Sequence, residues 1–290
     1  MNRIVLVTGA GGQLGHDLVG AFDTAGWQVV ACDRAQLDIT DRDAVLGAIS
    51  TLAPDAVVNA AAWTAVDDCE ADPDRAFAVN ALAVRHVADG CRRAGSHLCQ
   101  ISTDYVFDGT QPEPYTEWDE PAPASVYGRS KLAGEREGGP DATVVRTSWL
   151  CGAGGPAGSA NMARTVLRLA ADRDCPLAFV DDQRGCPTFT ADLAAAVRAL
   201  VVDRAPGVHH VTNQGATTWY HFARRVLALA GHDPARVQPI ATTDLDPPRA
   251  APRPANSVLD NAVLRLSGRP LLPPWEDGLG RLLDQLGARS

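Results

Sequence analysis

The most constraining feature of this chain lies near its start. A β-branched run, Ile4 to Val7, leads into Thr8-Gly9-Ala10-Gly11-Gly12-Gln13-Leu14-Gly15, and a helical pattern begins at once. A short apolar run stopped by glycines reads as a buried strand. Glycines at 9, 12 and 15 then supply a tight turn, a close backbone approach and close packing of helix on strand. Such a turn aims backbone N–H groups and a positive helix end at an anion, such as a pyrophosphate. A glycine triplet alone is equally an ordinary turn. Here a strand precedes it, a helix follows, and Asp33 closes the next strand, so a dinucleotide site is expected with Gly9, Gly11, Gly12, Gln13, Leu14 and Gly15 around it.

The rest of the first half repeats the pattern. Strands are expected over Arg3 to Thr8, Gln28 to Cys32, Ala56 to Asn59, His97 to Ser102 and Thr143 to Arg146. Helices are expected over Gln13 to Ala25, Asp41 to Ser50, Asp74 to Arg93 and Ser125 to Glu137. Strands alternating with helices predict an α/β fold, a Rossmann-like doubly wound parallel sheet. After Leu150 the regularity breaks at Gly152, Gly154, Gly155, Pro156 and Gly158, before an expected helix from Asn161 to Ala171. A loop-rich segment, Thr242 to Asn256, and a terminal helix, Asp277 to Leu286, follow. The expected organisation is a dinucleotide-binding domain over residues 1–150, with some later segments returning to it, and a smaller substrate-binding region over residues 151–290.

Composition narrows the partners. A chain of 290 residues with 46% hydrophobic content can bury a substantial core. A net charge of -9 without a basic patch argues against a nucleic acid polymer. The first apolar run is too short for a signal peptide or a membrane span, so a cytoplasmic location and no membrane partner are expected. Cys32, Cys69, Cys91, Cys99, Cys151, Cys175 and Cys186 are scattered and form no C-x-x-C pair, which reads as reduced thiols rather than disulfides or a zinc site.

Asp33 can accept hydrogen bonds from an adenosine ribose, whereas Arg34 beside it can bind an extra phosphate. The pair leaves the preference open, and the expected cofactor is NADPH, with NADH as the alternative. Asp38 and Ile39 are placed near the adenine. Ala60, Ala61 and Ala62 offer small residues at the third strand's end, though tight packing explains them equally well. The chemical signal is Ser102-Thr103-Asp104-Tyr105-Val106-Phe107 followed by Tyr127-Gly128-Arg129-Ser130-Lys131. Residues four apart share a helix face, so Tyr127 and Lys131 can point into one cleft. An ammonium near a phenol favours phenolate, and the tyrosine is expected to act as general acid toward a carbonyl oxygen.

These motifs resemble the dTDP-4-dehydrorhamnose reductase family of extended short-chain dehydrogenases. The resemblance continues in Ala60-Ala61-Ala62-Trp63-Thr64-Ala65-Val66-Asp67, Arg146-Thr147-Ser148-Trp149, Asp182-Gln183-Arg184-Gly185-Cys186-Pro187-Thr188 and Arg253-Pro254-Ala255-Asn256-Ser257. It implies reduction of the C4 ketone of a dTDP-linked 6-deoxy-hexulose, with Thr103, Tyr127 and Lys131 as catalytic residues. Tyr127 would donate the proton, Lys131 would hold the nicotinamide ribose, and Thr103 would bond the sugar oxygen. Thr64, Val66, Asp104, Tyr105 and Trp149 would line the sugar pocket, while Gln183, Arg253 and Asn256 would face the nucleotide diphosphate. Trp63, Cys151-Gly152 and Val263 depart from the family pattern, which bears on the exact sugar. Some family members carry Mg2+ at a dimer contact. A homodimer is an expectation on that ground, and Asp17 and Asp192 are the nearest acidic candidates for the metal, with no ligand assigned.

Plainer readings exist for several of these residues. Phe107 reads as a core aromatic, and the Asp67-Asp68 and Glu70 cluster as a solvated helix start rather than a metal site. A dehydratase of the same fold would place a glutamate where Tyr105 stands, so elimination is disfavoured. A reductase of a related dTDP-keto-sugar, such as a dihydrostreptose precursor, and a non-catalytic nucleotide-binding subunit are the remaining alternatives. The second of these has no need of a tuned phenol.

Overall fold

The computed structural model describes residues 3–155, 161–172 and 177–289. Pro156, Gly158 and Cys175, named above, lie outside these residues. Strands β1 (Ile4–Thr8), β2 (Gln28–Cys32), β3 (Ala56–Asn59), β4 (His97–Thr103) and β5 (Thr143–Thr147) alternate with α1 (Gln13–Asp23), α2 (Arg42–Leu52), α3 (Val66–Ala71), α4 (Pro73–Phe77), α5 (Ala83–Ala94) and α6 (Val126–Gly138). The second half contributes β6 (Leu150–Cys151), α7 (Met162–Ala171), β7 (Leu177–Val180), β8 (Arg184–Gly185), β9 (Thr188–Phe189), α8 (Thr190–Val202), β10 (Gly207–His210), β11 (Thr217–Thr218), α9 (Trp219–Leu229), β12 (Val237–Ile240), α10 (Ala262–Leu266) and α11 (Trp275–Gln285).

The central sheet is parallel, in the order β10-β5-β4-β3-β1-β2. Both faces are covered, as parallel strands with apolar side chains on both sides require. Alternation along β1 shows how. Val5 and Val7 meet Leu18 and Phe22 of α1 and Leu193 and Val197 of α8. Leu6 points the other way, into the cluster of Val45 and Ile49 of α2 with Val87 of α5. A separate core joins Val166, Phe222, Val226, Leu279 and Leu283 of α7, α9 and α11. Strand β10, from the second half of the chain, closes the sheet beside β5.

Strand order reverses between β1 and β3, and a crevice opens outside the carboxyl ends of strands at such a switch point. The glycine loop follows β1 and Ala60-Ala61-Ala62 follows β3, so both flank that crevice.

One expected helix is not continuous. In place of a single element over Asp74 to Arg93, α4 passes through a π-helical stretch, Ala78–Leu82, into α5. The cause is tertiary. Asn80 inside that stretch accepts the Trp63 N–H (2.9 Å) and donates to both the Trp63 carbonyl (3.0 Å) and the Ser130 hydroxyl (3.0 Å). One extra residue in the turn aims that amide between the β3 loop and α6, and π turns commonly serve such sites. Among the described residues, no helix is long and apolar enough to cross a membrane.

Candidate active site

Between the switch-point loops lies a cavity of about 470 Å3 lined by Gly9, Gly11, Gly12, Asp33, Arg34, Asp38, Ile39 and Ala60 to Ala62. The lining also includes Trp63, Arg75 and Val79. Gly9 has φ +69, and a Cβ there would stand 2.6 Å from the Ala61 nitrogen. A Cβ on Gly15 would stand 2.2 Å from the Gly9 carbonyl oxygen, so that residue lets α1 approach the turn. Gly12 caps α1 with no side-chain hydrogen bond, which leaves the first-turn N–H groups to a ligand. Asp33 Oδ1 accepts from the backbone N–H groups of Ala35 (2.9 Å) and Gln36 (3.0 Å), fixing the turn after β2. Exposed Arg34 pairs with Asp38 at 3.3 Å, and the Arg75 guanidinium lies 4.3 Å over the Trp63 ring. A dinucleotide fits this set of donors, glycines and flanking cations.

Gln13, Leu14 and Gly15 support the loop from behind rather than line the cavity. The Gln13 amide oxygen accepts from the Gly152 N–H (2.9 Å) and the Asn161 amide (2.7 Å), while Leu14 is a core residue.

A buried polar ladder runs from this loop to Lys131. The Thr8 hydroxyl donates to Asn59 Oδ1 (2.6 Å), Asn59 donates to Gln100 Oε1 (2.7 Å), and Gln100 donates to the Ile101 carbonyl (2.9 Å). That carbonyl also accepts from Lys131 Nζ at 2.7 Å. Lys131 and Tyr127 are both buried. Burial depresses the Lys131 ammonium to about 8, against the opposing charge of Glu135. The same burial pushes the Tyr127 phenol up, with the Thr103 hydroxyl opposing the shift. A phenolate favoured by the ammonium, as the sequence suggested, is therefore not what this geometry gives. Desolvation is the largest influence on the phenol and favours its protonated form, the form in which it donates a proton.

Thr103 donates to Asp104 Oδ1 at 3.0 Å. Asp104 is 2% exposed, its Oδ2 has no hydrogen-bond partner, and burial raises it to about 6. Tyr105 crosses the Tyr127 ring edge-on, with centroids 5.6 Å apart. Trp63, Val66 and Tyr105 pack in the cluster that holds Tyr127, so Trp63 joins the cofactor cavity to the phenol.

The residues expected on the substrate side separate into two groups. Trp149 stacks on Trp219 at 3.5 Å between centroids and has φ +48, a conformation that bulky residues rarely adopt and that accumulates at functional sites. Thr64 is exposed beside Trp63. Arg253, Gln183 and Asn256 have partners within the chain. Arg253 Nη1 and Nη2 meet the Asp67 carboxylate at 3.0 and 2.7 Å, Gln183 donates to the Thr242 hydroxyl (2.9 Å), and the Asn256 amide donates to the Gln111 carbonyl (2.8 Å).

The acidic cluster of α3 is not simply a solvated helix start. Asp67 holds Arg253, and Glu70 Oε1 accepts the Val126 N–H at 2.7 Å, fixing the first turn of α6. Trp219 was missed from sequence because it reaches the site from an element far along the chain, and Arg75 because nothing in its local pattern separates it from a solvated surface charge.

The Mg2+ candidates do not fit a metal. Asp17 accepts from the Thr190 hydroxyl, and both oxygens of Asp192 face Arg281 at 2.8 and 2.6 Å, where a guanidinium already supplies the positive charge. Among the described residues, no group of three or more His, Cys, Asp or Glu side chains could hold a metal ion. The six described cysteines are free thiols.

The family model described as the RmlD substrate binding domain matches residues 1–288. The chain belongs to that family. A dTDP-4-dehydrorhamnose reductase from Streptomyces griseus is 46% identical over 294 residues, covering 98% of this chain and 94% of that protein. A probable dTDP-4,6-dihydroxy-2-methyloxan-3-one 4-ketoreductase from Streptomyces antibioticus is 43% identical, covering 94% of this chain and 92% of the relative. The crystal structure of a dTDP-4-dehydrorhamnose reductase from Bacillus anthracis in complex with NADP superposes with a TM-score of 0.92 at 36% identity, over 98% of this chain and 100% of that one. The family membership and the Rossmann-like parallel sheet agree with the sequence reading.

Proposed function

We propose that this chain reduces the C4 ketone of dTDP-4-dehydrorhamnose to dTDP-L-rhamnose with NADPH. The observation that carries the reading is a dinucleotide-sized cavity whose Trp63 wall packs in the cluster that holds the buried Tyr127 phenol, with Thr103 at the end of β4 and Lys131 bonded to Ile101 of the same strand. When bound, the reduced nicotinamide supplies the hydride that converts the ketone carbon to an alcohol carbon. Tyr127 gives its phenolic proton to the sugar oxygen as negative charge develops there. Thr103 hydrogen-bonds the same oxygen once its hydroxyl turns from Asp104 Oδ1, which accepts it at 3.0 Å, and so stabilises the developing charge. Lys131, anchored on the Ile101 carbonyl, keeps a positive charge near the phenol and holds the nicotinamide ribose. Gly9, Gly11 and Gly12 with the α1 N-terminus hold the pyrophosphate, and Asp33 and Arg34 the adenosine end. Val66, Tyr105 and Trp149 shape the sugar pocket. NADPH is favoured by the exposed Arg34 and by Arg75 on the cavity wall.

The test is oxidation of NADPH and NADH, in parallel, on adding the protein to dTDP-4-dehydrorhamnose, with the product sugar identified. Oxidation with rhamnose as product supports the reading. Cofactor binding with no oxidation refutes it, and turnover on another dTDP-keto-sugar alone favours the reading suggested by the Streptomyces antibioticus relative.

A further inference from the structure

Tyr127, Lys131 and Glu135 stand four residues apart on α6 and so form one stripe along the helix. The stripe faces the sheet, and each of its two charged members reaches a strand end. Lys131 Nζ donates to Ile101 of β4. Glu135 is 8% exposed and accepts from the hydroxyl of Ser102, the residue next to Thr103, at 2.5 Å. It also takes a forked pair of bonds from Arg146 of β5, with Nη2 at 2.7 Å and Nε at 3.0 Å. Arg146 is 4% exposed and lies 5.2 Å over the Phe107 ring. A buried carboxylate held by three donors is fixed in place.

We propose that Glu135 is a positioning residue for the reduction: it fastens α6 to the ends of β4 and β5 and supplies the negative charge against which the buried Lys131 ammonium is held. The inference rests on the catalytic reading of Lys131 given above. A primary ammonium with an apolar surround loses its proton unless a counter-charge is present. The other ionisable groups on elements packed against α6 are Asp67, Asp68, Cys69 and Glu70 of α3, Asp74 and Arg75 of α4, Arg85, His86, Asp89, Cys91, Arg92 and Arg93 of α5, His97 and Cys99 of β4, and Asp104 and Tyr105 after it. The Arg85–Glu137 pair is part-exposed on the outer side. Glu135 is the charged neighbour that acts on Lys131. In the proposal, Arg146 and Ser102 keep the carboxylate still, and Glu135 touches neither substrate nor cofactor.

The sequence makes a direct test available, because Lys131 is the only lysine in the chain. Protein grown on lysine labelled with carbon-13 at Cε gives a single side-chain resonance whose titration is that of Lys131. In the wild type its midpoint is expected at about 8. In Glu135→Gln the midpoint falls by about one pH unit, and the alkaline limb of NADPH turnover falls with it. Arg146→Met removes the competing cation and does not lower the midpoint. The double variant Glu135→Gln/Arg146→Met does not leave Arg146 as an unpaired buried cation and still lacks the carboxylate. Its midpoint falls as well, which keeps the test available if the single variant does not fold. An unchanged midpoint in both variants lacking Glu135, or a fall in Arg146→Met equal to that in Glu135→Gln, overturns the proposal. Absence of turnover on any keto-sugar would refute the catalytic reading, and the lysine titration would still decide whether Glu135 holds the charge.

Discussion

Replacing Gly128 with alanine places a Cβ 2.1 Å from the backbone oxygen of Tyr105 and 2.9 Å from Pro123 Cβ. Ordinary contact begins at 3.4 Å, so α6 or the turn after β4 must move by about 1.3 Å. The obstacle is backbone on a buried turn, and no side-chain rotation relieves it. Gly128 directly follows Tyr127, and its N–H donates to the Ser125 cap at 3.1 Å. The displacement therefore separates Tyr127 from Thr103, which sits on the other side of the contact. Misplacement of a reacting group by about 1 Å costs about a hundredfold in rate. The fold loses about 1–3 kcal/mol to overpacking and about 1 kcal/mol if the cap is lost. Alanine's helix propensity returns somewhat less than 1 kcal/mol.

The expected outcome is a kcat lower by about a hundredfold, a Tm lower by several degrees, and an NADPH dissociation constant within a few-fold of wild type, because the glycine loop is untouched. The assay is kcat under saturating NADPH together with equilibrium cofactor titration and thermal unfolding. Gly47→Ala is the control. It lies in α2 with nothing within 4 Å of the added Cβ, and it is expected to gain about 0.5–1 kcal/mol with kcat unchanged. A Gly128→Ala enzyme with wild-type kcat and Tm would refute the claim that this contact sets the Tyr127–Thr103 relation.

Tyr127→Phe is expected to keep NADPH binding and to lose turnover by a factor on the order of a hundred or more; full turnover would remove Tyr127 from the mechanism. Arg34→Ala should weaken NADPH about three- to tenfold relative to NADH, a modest effect because the side chain is exposed, and equal loss for both cofactors would count against a phosphate contact. Asp104, raised from 3.8 to about 6, binds more protons folded than unfolded between those values, so wild-type stability falls as pH rises through that window. Asp104→Asn lacks this dependence, and urea unfolding should show its advantage over wild type growing by up to about 3 kcal/mol from pH 4 to pH 7; a constant difference would show that Asp104 ionises freely.

Much of the sheet was legible because its signals are local. The turn at Gly9 and the opposite faces of Val5 and Leu6 follow from steric rules that act over a few residues. The break between α4 and α5 was not legible, because the π turn is set by Asn80 bonding a loop and a helix far away in sequence. The pairing of Tyr127 with Lys131 was legible through spacing and Thr103 through the resemblance, whereas the electrostatics of the proposed site were not legible. Spacing brings Lys131 near Tyr127 but says nothing of how completely both are desolvated, and desolvation decides the phenol's state. Arg253 and Asn256 read as phosphate ligands by motif, yet each has a partner in the chain that no local pattern announces. Arg146 did carry an unused signal. An arginine inside a strand as apolar as Thr143–Thr147 requires a buried counter-charge, and Glu135, in register with Tyr127 and Lys131, is that charge.

The ladder from Thr8 to Lys131 explains how such a site can keep its reaction while its substrate changes. Lys131 takes its position from the Ile101 carbonyl, and that carbonyl is tied through Gln100 and Asn59 to the strand that carries the glycine loop. The donor of the proton, its charged neighbour and the cofactor loop are thus referenced to three adjacent strands of one sheet, with no hinge between them. Val66 and Tyr105 pack with Tyr127, but other groups proposed for the substrate side come from elsewhere. Trp149 lies beyond β5, Trp219 begins α9, and Arg253 sits in the proline-rich segment held by Asp67. A change in Trp219 or in the segment around Arg253 alters what fits against the site without moving Tyr127 relative to Lys131. The names of the two Streptomyces relatives, which differ in substrate at 46% and 43% identity to this chain, agree with that division. Substrate preference should therefore follow exchanges at Trp149, Trp219 and residues 249–256, and the lysine titration should not.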